Sequence, residues 1–273
     1  GDLELAGTIT DETTKLTLQS DSMLTSQDGW TYKFGTLDLN GSALSVKMAM
    51  SINEPLILDA AGEQILTGTS GLTLNDSLAI SAGKLSSQSG LISFGSTANL
   101  GTDGIIEIQD GTLQLSDNLS IEGGKFNLAD LAELNLNNDV SITSDRALIF
   151  GTLEMNNRNL KVTTTEDAEL NIKKAFNLNN ASNLQLNGTN LTFSETAAIA
   201  GILEPSGGTL TFQKGGSVSG TINSKNSTLV LQTENLVYTG LLKTNSGTTL
   251  SGANLLNLSN GTLEVEGSIN LDN

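Results

Sequence analysis

From Ile106 to Ile142 the chain repeats one short pattern of apolar, polar and apolar residues. It reads Ile106-Glu107-Ile108, Leu113-Gln114-Leu115, Leu119-Ser120-Ile121, Phe126-Asn127-Leu128, Leu134-Asn135-Leu136 and Val140-Ser141-Ile142. This is the alternation of a short strand with one buried face and one wet face. The intervals are rich in Gly, Asn, Asp and Ser, which favour turns because they tolerate left-handed backbone or bond to it locally. The triplets also match at longer range, at a nearly constant interval: Ile106 with Phe126, Leu113 with Leu134 and Leu119 with Val140. Three short strands and three corners therefore return about every 20 residues, which is one coil of a solenoid.

One apolar row can be followed through Leu16, Leu37, Leu56, Leu72, Ile92, Leu113, Leu134, Leu153, Leu170, Leu191, Leu210, Leu229 and Leu250, in steps that vary by a few positions as corners of unequal length would make them. A second passes through Leu78, Leu119, Val140, Leu160, Phe176, Val218 and Leu236, and a third through Ile106, Phe126, Leu148, Leu184, Ile222, Leu242 and Leu263. Three rows predict three sheets and a triangular cross-section. The reading is an all-β, parallel β-helix of about 13 coils in one continuous domain over residues 1–273. At about 4.8 Å per coil, such a rod is on the order of 60 to 65 Å long. Two residues beyond the first row lies an inward stack, Leu18, Leu39, Leu58, Leu74, Phe94, Leu115, Leu136, Met155, Ile172, Phe193, Phe212 and Leu231, which sets Phe193 directly beneath Phe212. The stretch 166–177 has helical propensity but is read as two strands, Leu170/Ile172 and Phe176/Leu178, because the rows need rungs there. Asn40-Gly41, Asp28-Gly29, Asp103-Gly104, Asp110-Gly111, Asn187-Gly188 and Asn260-Gly261 are read as tight corners.

Composition narrows the chemistry. Hydrophobic residues make up 37% and aromatics 4%, so aliphatic Leu and Ile carry the core. The net charge of -17 argues against nucleic acid or an anionic membrane as partner, and serves to keep a strand-rich surface soluble. With no Cys there is no disulfide or thiolate chemistry, and with no His the commonest general base and metal ligand are missing. No apolar run is long enough for a helix that spans a membrane. No signal peptide is visible, and the chain opens in the strand triplet Leu3-Glu4-Leu5, so a piece of a longer or processed precursor is expected.

Carboxylate chemistry is what remains for an enzyme. Glycosidases need two carboxylates about 5 to 9.5 Å apart. Glu154 and Glu169 fall near corresponding rungs, and Glu107 sits one coil before Asn127, but no aromatic platform flanks them. The glycine pairs are not followed by a phosphate-loop pattern, and neither calcium-repeat nor EF-hand spacing occurs. Neither a cofactor nor a metal is therefore expected. Ice binding calls for regular Thr-x-Thr rows on one flat face, and Thr163-Thr164-Thr165 and Thr248-Thr249 do not recur at the coil period. Trp30 and Tyr32 alternate, and if both point outward they form a small surface contact platform for a glycan or a protein; if not, one is core and one a corner.

The phrases Gly207-Gly208-Thr209-Leu210-Thr211-Phe212, Asn260-Gly261-Thr262-Leu263-Glu264-Val265 and Gly111-Thr112-Leu113-Gln114-Leu115 resemble those of the right-handed β-helical shafts of filamentous-haemagglutinin-like exoproteins and autotransporter passenger domains. A strict six-residue period, the mark of left-handed helices, is not kept. The resemblance implies a non-enzymatic structural or adhesive shaft, extracellular or on a bacterial cell surface. Its implied partners are neighbouring coils of the same or another copy, and a host-surface or matrix glycan or protein. No functional residue carries over, since function in such shafts sits in insertions or at the tip. The alternatives are a polysaccharide-processing β-helix, lyase or glycoside hydrolase, and a phage tail-fibre shaft.

Overall fold

The computed structural model describes residues 2–5, 13–26, 31–165, 168–231, 236–245, 247–252, 257–258, 261–266 and 268–270. They form a right-handed parallel β-solenoid without a helix, of about 11 turns of roughly 21 residues, somewhat fewer and longer than the coils read from the sequence. The chain divides into two compact units, Gly1–Asn138 and Asp139–Asn273.

In the first unit, ladder A stacks Tyr32–Phe34, Met50–Ile52, Leu72–Leu74, Leu91–Phe94, Thr112–Leu115 and Glu133–Leu136. Ladder B pairs Lys15–Thr17 with Thr36–Asp38, and then stacks in succession Leu56–Leu58, the first residues of the long strand Leu78–Ser87, the first residues of the long strand Ala98–Ile108, and Leu119–Ile121. Ladder C runs through Asp2–Leu5, Ser22–Ser26, Leu44–Val46, Glu63–Thr67, the last residues of those long strands, and Lys125–Leu128. Asp103-Gly104 is thus no tight corner; it lies within Ala98–Ile108, where the strand passes from one ladder to the next and pairs with Ala82-Gly83.

The second unit repeats the plan. Ladder D contains Val140–Ser144, Leu160–Thr164, Asn183–Asn187, Ile202–Ser206, Thr221–Ser224, Leu241–Thr244 and Thr262–Val265. Ladder E contains Leu148–Phe150, Glu169–Ile172, Asn190–Phe193, Thr209–Phe212, Thr228–Leu231, Thr249–Gly252 and Ser268–Asn270. Ladder F contains Phe176–Leu178, Ala197–Ile199, Gly216–Val218, Leu236–Tyr238 and Asn257–Leu258. The stretch read as two strands despite its helical propensity is two strands, as its rungs require.

Alternation within each strand buries the flanking apolar residues, each contributing about 1.5 to 3 kcal/mol when fully enclosed. In ladder A the inward stack Leu74, Phe94, Leu115 and Leu136 follows the expected register. In ladder E, Phe193 lies under Phe212 with ring centroids 5.1 Å apart, and Phe176 of ladder F stacks on Phe193 from its other side at 5.3 Å. The first sequence row is broken at two steps: Leu16, Leu37 and Leu56 lie in ladder B, Leu72, Ile92, Leu113 and Leu134 in ladder A, and Leu170, Leu191, Leu210, Leu229 and Leu250 in ladder E. Leu56 pairs with Leu78 in ladder B, while Met50 takes the place below Leu72. Leu170 pairs with Leu148, not Leu153. Both errors fall at the two shortest steps of that row, Leu56 to Leu72 and Leu153 to Leu170, which are too short for a full turn.

Corners of the second unit set Gly201, Gly220 and Gly240 one above another. A Cβ on Gly220 would lie 2.1 Å from the carbonyl oxygen of Gly201, and one on Gly240 2.0 Å from that of Gly220. Backbone cannot give way as a side-chain tip can, so only glycine allows this approach. Gly220→Ala is expected to lower stability by about 2 kcal/mol through overpacking, read as a lower urea midpoint. Inside ladder D the buried register partners Ser224 and Thr244, and Tyr238 of ladder F, have hydroxyls without a partner among the described residues. Burial alone pushes the Tyr238 phenol well above its ordinary value.

Candidate functional site

The second unit presents a line of hydrogen-bonded polar side chains along the outer side of ladder D, crossing six successive turns. Asp139 accepts from the backbone N–H of Asn159 at 2.8 Å and from its Nδ2 at 2.9 Å. Asn159 Oδ1 accepts the backbone N–H of Asn183 at 3.1 Å. Asn183 Nδ2 and Gln185 Nε2 both donate to Glu204 Oε2, at 2.9 and 3.0 Å. Asn223 Nδ2 donates to Glu204 Oε1 at 3.4 Å, and Asn245 Nδ2 donates to Asn223 Oδ1 at 3.3 Å. Parallel pairing makes this possible, because it places corresponding outward residues of adjacent turns about 4.8 Å apart.

Glu204 orients the line. An ionised carboxylate is acceptor only, so the amides on both sides turn their N–H groups toward it. The bond from Asn183 is the largest influence on its acidity, opposed by partial burial and aided by Gln185 and Asn223, and the carboxyl is held below its ordinary value of 4.5. The Asp139 carboxyl is likewise held low, chiefly by the backbone N–H of Asn159. Beside the line lie two shallow cavities. One of about 310 Å³ is bounded by Asp139, Lys161 and Gln185, and one of about 200 Å³ by Gln185, Glu204, Asn223 and Asn245.

A lowered folded-state value means that the unfolded chain takes up the proton first. The contribution of Glu204 is therefore present above the ordinary Glu range and lost as pH falls through the folded value. Glu204→Gln puts an amide among amide donors, and is expected to cost about 1 kcal/mol at neutral pH. The difference in melting midpoint between the two proteins should hold at neutral pH and vanish in acid. A pH-independent difference would contradict the assignment of Glu204 as the ionised centre.

The residues singled out from sequence fall elsewhere. Tyr32 is buried in ladder A, its hydroxyl 3.0 Å from Ser26 Oγ, and a buried ring presents no face to a partner. Trp30 lies outside the described residues. Glu107 does stand beside Asn127, and both Glu107 and Glu63 pair with Lys84, whose amine is raised mainly by Glu107. Glu154 ends Thr152–Glu154, whereas Glu169 opens a ladder E strand next to Asn190, so register does not bring this carboxylate pair together.

The polar line was missed because it runs diagonally. Asn183 is the first residue of its strand, Glu204 and Asn223 are third, and Asn245 follows the end of Leu241–Thr244. The sequence signal was there as polar residues recurring once per coil, without a constant phase. Among the described residues no group of three or more Asp, Glu, His or Cys is placed to hold a metal ion, and no helix is long and apolar enough to cross a membrane.

Comparison with known proteins finds no protein-family profile, curated protein or solved structure that matches this chain.

Proposed function

We propose that the chain is a non-enzymatic structural and adhesive solenoid of a secreted or surface-attached bacterial protein, and that its contact face is the polar line of ladder D. The observation that carries this reading is the continuity of Asp139, Asn159, Asn183, Glu204, Asn223 and Asn245 over six turns. A row of carboxamides with the carboxylates of Asp139 and Glu204 offers paired donors and acceptors to vicinal hydroxyls. Its repeat of about 4.8 Å is near the advance of one pyranose ring in an extended glycan. The high negative charge disfavours polyanionic chains, so a neutral, hydroxyl-rich glycan is the ligand class.

The test is binding of the labelled protein to immobilised neutral and acidic polysaccharides, with reducing ends measured in parallel. Retention on neutral glycans that falls with Asn183→Ala or Asn223→Ala, and no growth of reducing ends, is the expected result. Retention on none of them would refute the glycan contact. New reducing or unsaturated ends would instead make it a polysaccharide-processing β-helix.

A further inference from the structure

Two turns of the first unit are held together on two sides and part on the third. Ladder A stacks Met50–Ile52 on Tyr32–Phe34, and ladder C stacks Glu63–Thr67 on Leu44–Val46. On ladder B, between them, Thr36–Asp38 pairs with Lys15–Thr17 and does not pair with Leu56–Leu58 of the next turn. The parting is local. It begins after the Glu54 N–H bonds to the Gly35 carbonyl at 2.8 Å, and it ends where Leu44 meets Ile65. Two features of the chain cause it. Pro55 follows Glu54 and has no N–H to donate, and the segment from Glu54 to Ile65 is longer than the one from Gly35 to Leu44 beside it. The result is an opening closed at both ends by bonded backbone.

A cavity of about 460 Å³ occupies this opening, within the size range of small-molecule sites. Gln64 forms part of its wall and is only 3% exposed. Its Oε1 accepts the backbone N–H of Ala60 at 3.3 Å, which fixes the orientation of the amide. Its Nε2 has no hydrogen-bond partner among the described residues, and a buried donor without an acceptor is costly. Glycine at 83 keeps room for this amide, since a Cβ there would lie 2.4 Å from Gln64 Oε1 and 2.3 Å from the carbonyl oxygen of Ala60. The remaining lining is of two kinds. Pro55 and Ile57, the latter 62% exposed, make an aliphatic wall. Asp59 and the ion pair of Lys15 with Asp38, Nζ 2.9 Å from Oδ2, make a polar rim. Asp59 has no partner among the described residues, so both its oxygens remain to accept.

We infer that this opening binds a single neutral sugar ring. A pyranose carries oxygens that accept from Gln64 Nε2, hydroxyl protons that Asp59 accepts, and a face of C–H groups that packs on Ile57 and Pro55. An acidic sugar would meet Asp59 and Asp38 with like charge. An extended peptide would have to run on along a strand edge, and the bonded backbone at both ends of the opening stops it. This site shares no residue with the line on ladder D, so the glycan contact proposed there can fail while this one stands.

The test is a titration of isotope-labelled protein with free glucose, galactose, mannose, xylose and glucuronic acid, followed in amide NMR spectra. At least one neutral sugar is expected to give saturable shifts of the Gln64 side-chain amide and of the Ala60 and Ile57 backbone amides. Ile57→Lys carries an exposed side chain across the opening and should weaken that binding about tenfold or more while keeping the melting midpoint. Leu131→Lys, at a position 67% exposed elsewhere in the unit, should bind like wild type. Gln64→Glu replaces the donor with an acceptor and should also cost about tenfold. If it fails to fold, Asp59→Asn on the exposed rim should weaken binding in its place. Asn223→Ala should leave the monosaccharide shifts unchanged, whatever it does to retention on polysaccharide. No saturable shift with any neutral sugar would overturn the inference and would mean that water alone meets Gln64. Shifts with glucuronic acid alone would overturn it too, as would a folded Ile57→Lys variant that binds like wild type.

Discussion

Leu136→Asp is expected to cost about 5 kcal/mol or more and to unfold at least the last turns of the first unit. Leu136 is fully enclosed in ladder A, above Leu115 and in line with Phe94 and Leu74. Loss of the aliphatic group alone is worth about 2 to 5 kcal/mol, as Leu136→Ala should show. The carboxylate adds a desolvation cost of a few kcal/mol, because the neighbouring rungs offer methyl groups and no donor. Burial also raises the carboxyl pKa, so the defect should be milder in acid than at neutral pH. Urea unfolding at two pH values, with Asn99→Asp as an exposed comparison, reads all three expectations. An unchanged midpoint would mean that Leu136 does not face inward and that the register of ladder A is wrong.

Phe193→Ala should cost about 3 to 5 kcal/mol, toward the upper end of the range for a buried aromatic. The ring is sandwiched, with Phe176 at 5.3 Å and Phe212 at 5.1 Å, so one truncation removes two stacking contacts as well as volume. Phe193→Leu refills most of the space and should cost far less. Hydrogen exchange offers a spatial check: amides of Asn190–Phe193 and Thr209–Phe212 should exchange faster in the Ala variant, while those of ladder A do not change. Equal protection in both proteins would show that the aromatic stack does not hold these turns together.

Much of the fold was legible because its rule is local. A triplet such as Leu113-Gln114-Leu115 states which side chains are buried whatever it pairs with, and Asn40-Gly41 marks a corner by its left-handed backbone, with φ of 48° and 74°. Which triplet stacks on which was less legible, since triplets of all three ladders look alike and only corner length tells them apart. Leu148-Ile149-Phe150 and Leu153-Glu154-Met155 follow each other closely with the same pattern, and the choice between them as the rung for Leu170 was wrong. The long strands Leu78–Ser87 and Ala98–Ile108 were hidden for a related reason: they bend through a corner without ending, so a Gly that signals a turn sits inside a strand.

The candidate surfaces follow the same division. By itself the sequence determined a parallel β-solenoid with an aliphatic core, a strongly acidic exterior and no thiol or imidazole, because alternation, spacing and composition are properties of the chain alone. Only the tertiary structure decided which polar residues are neighbours. The line from Asp139 to Asn245 crosses strands diagonally, and the opening beside Gln64 exists because Thr36–Asp38 and Leu56–Leu58 do not pair. In a solenoid each turn is placed by its hydrogen bonds to the next turn, about 20 residues away, so side-chain adjacency is written in inter-turn pairing and not in sequence distance.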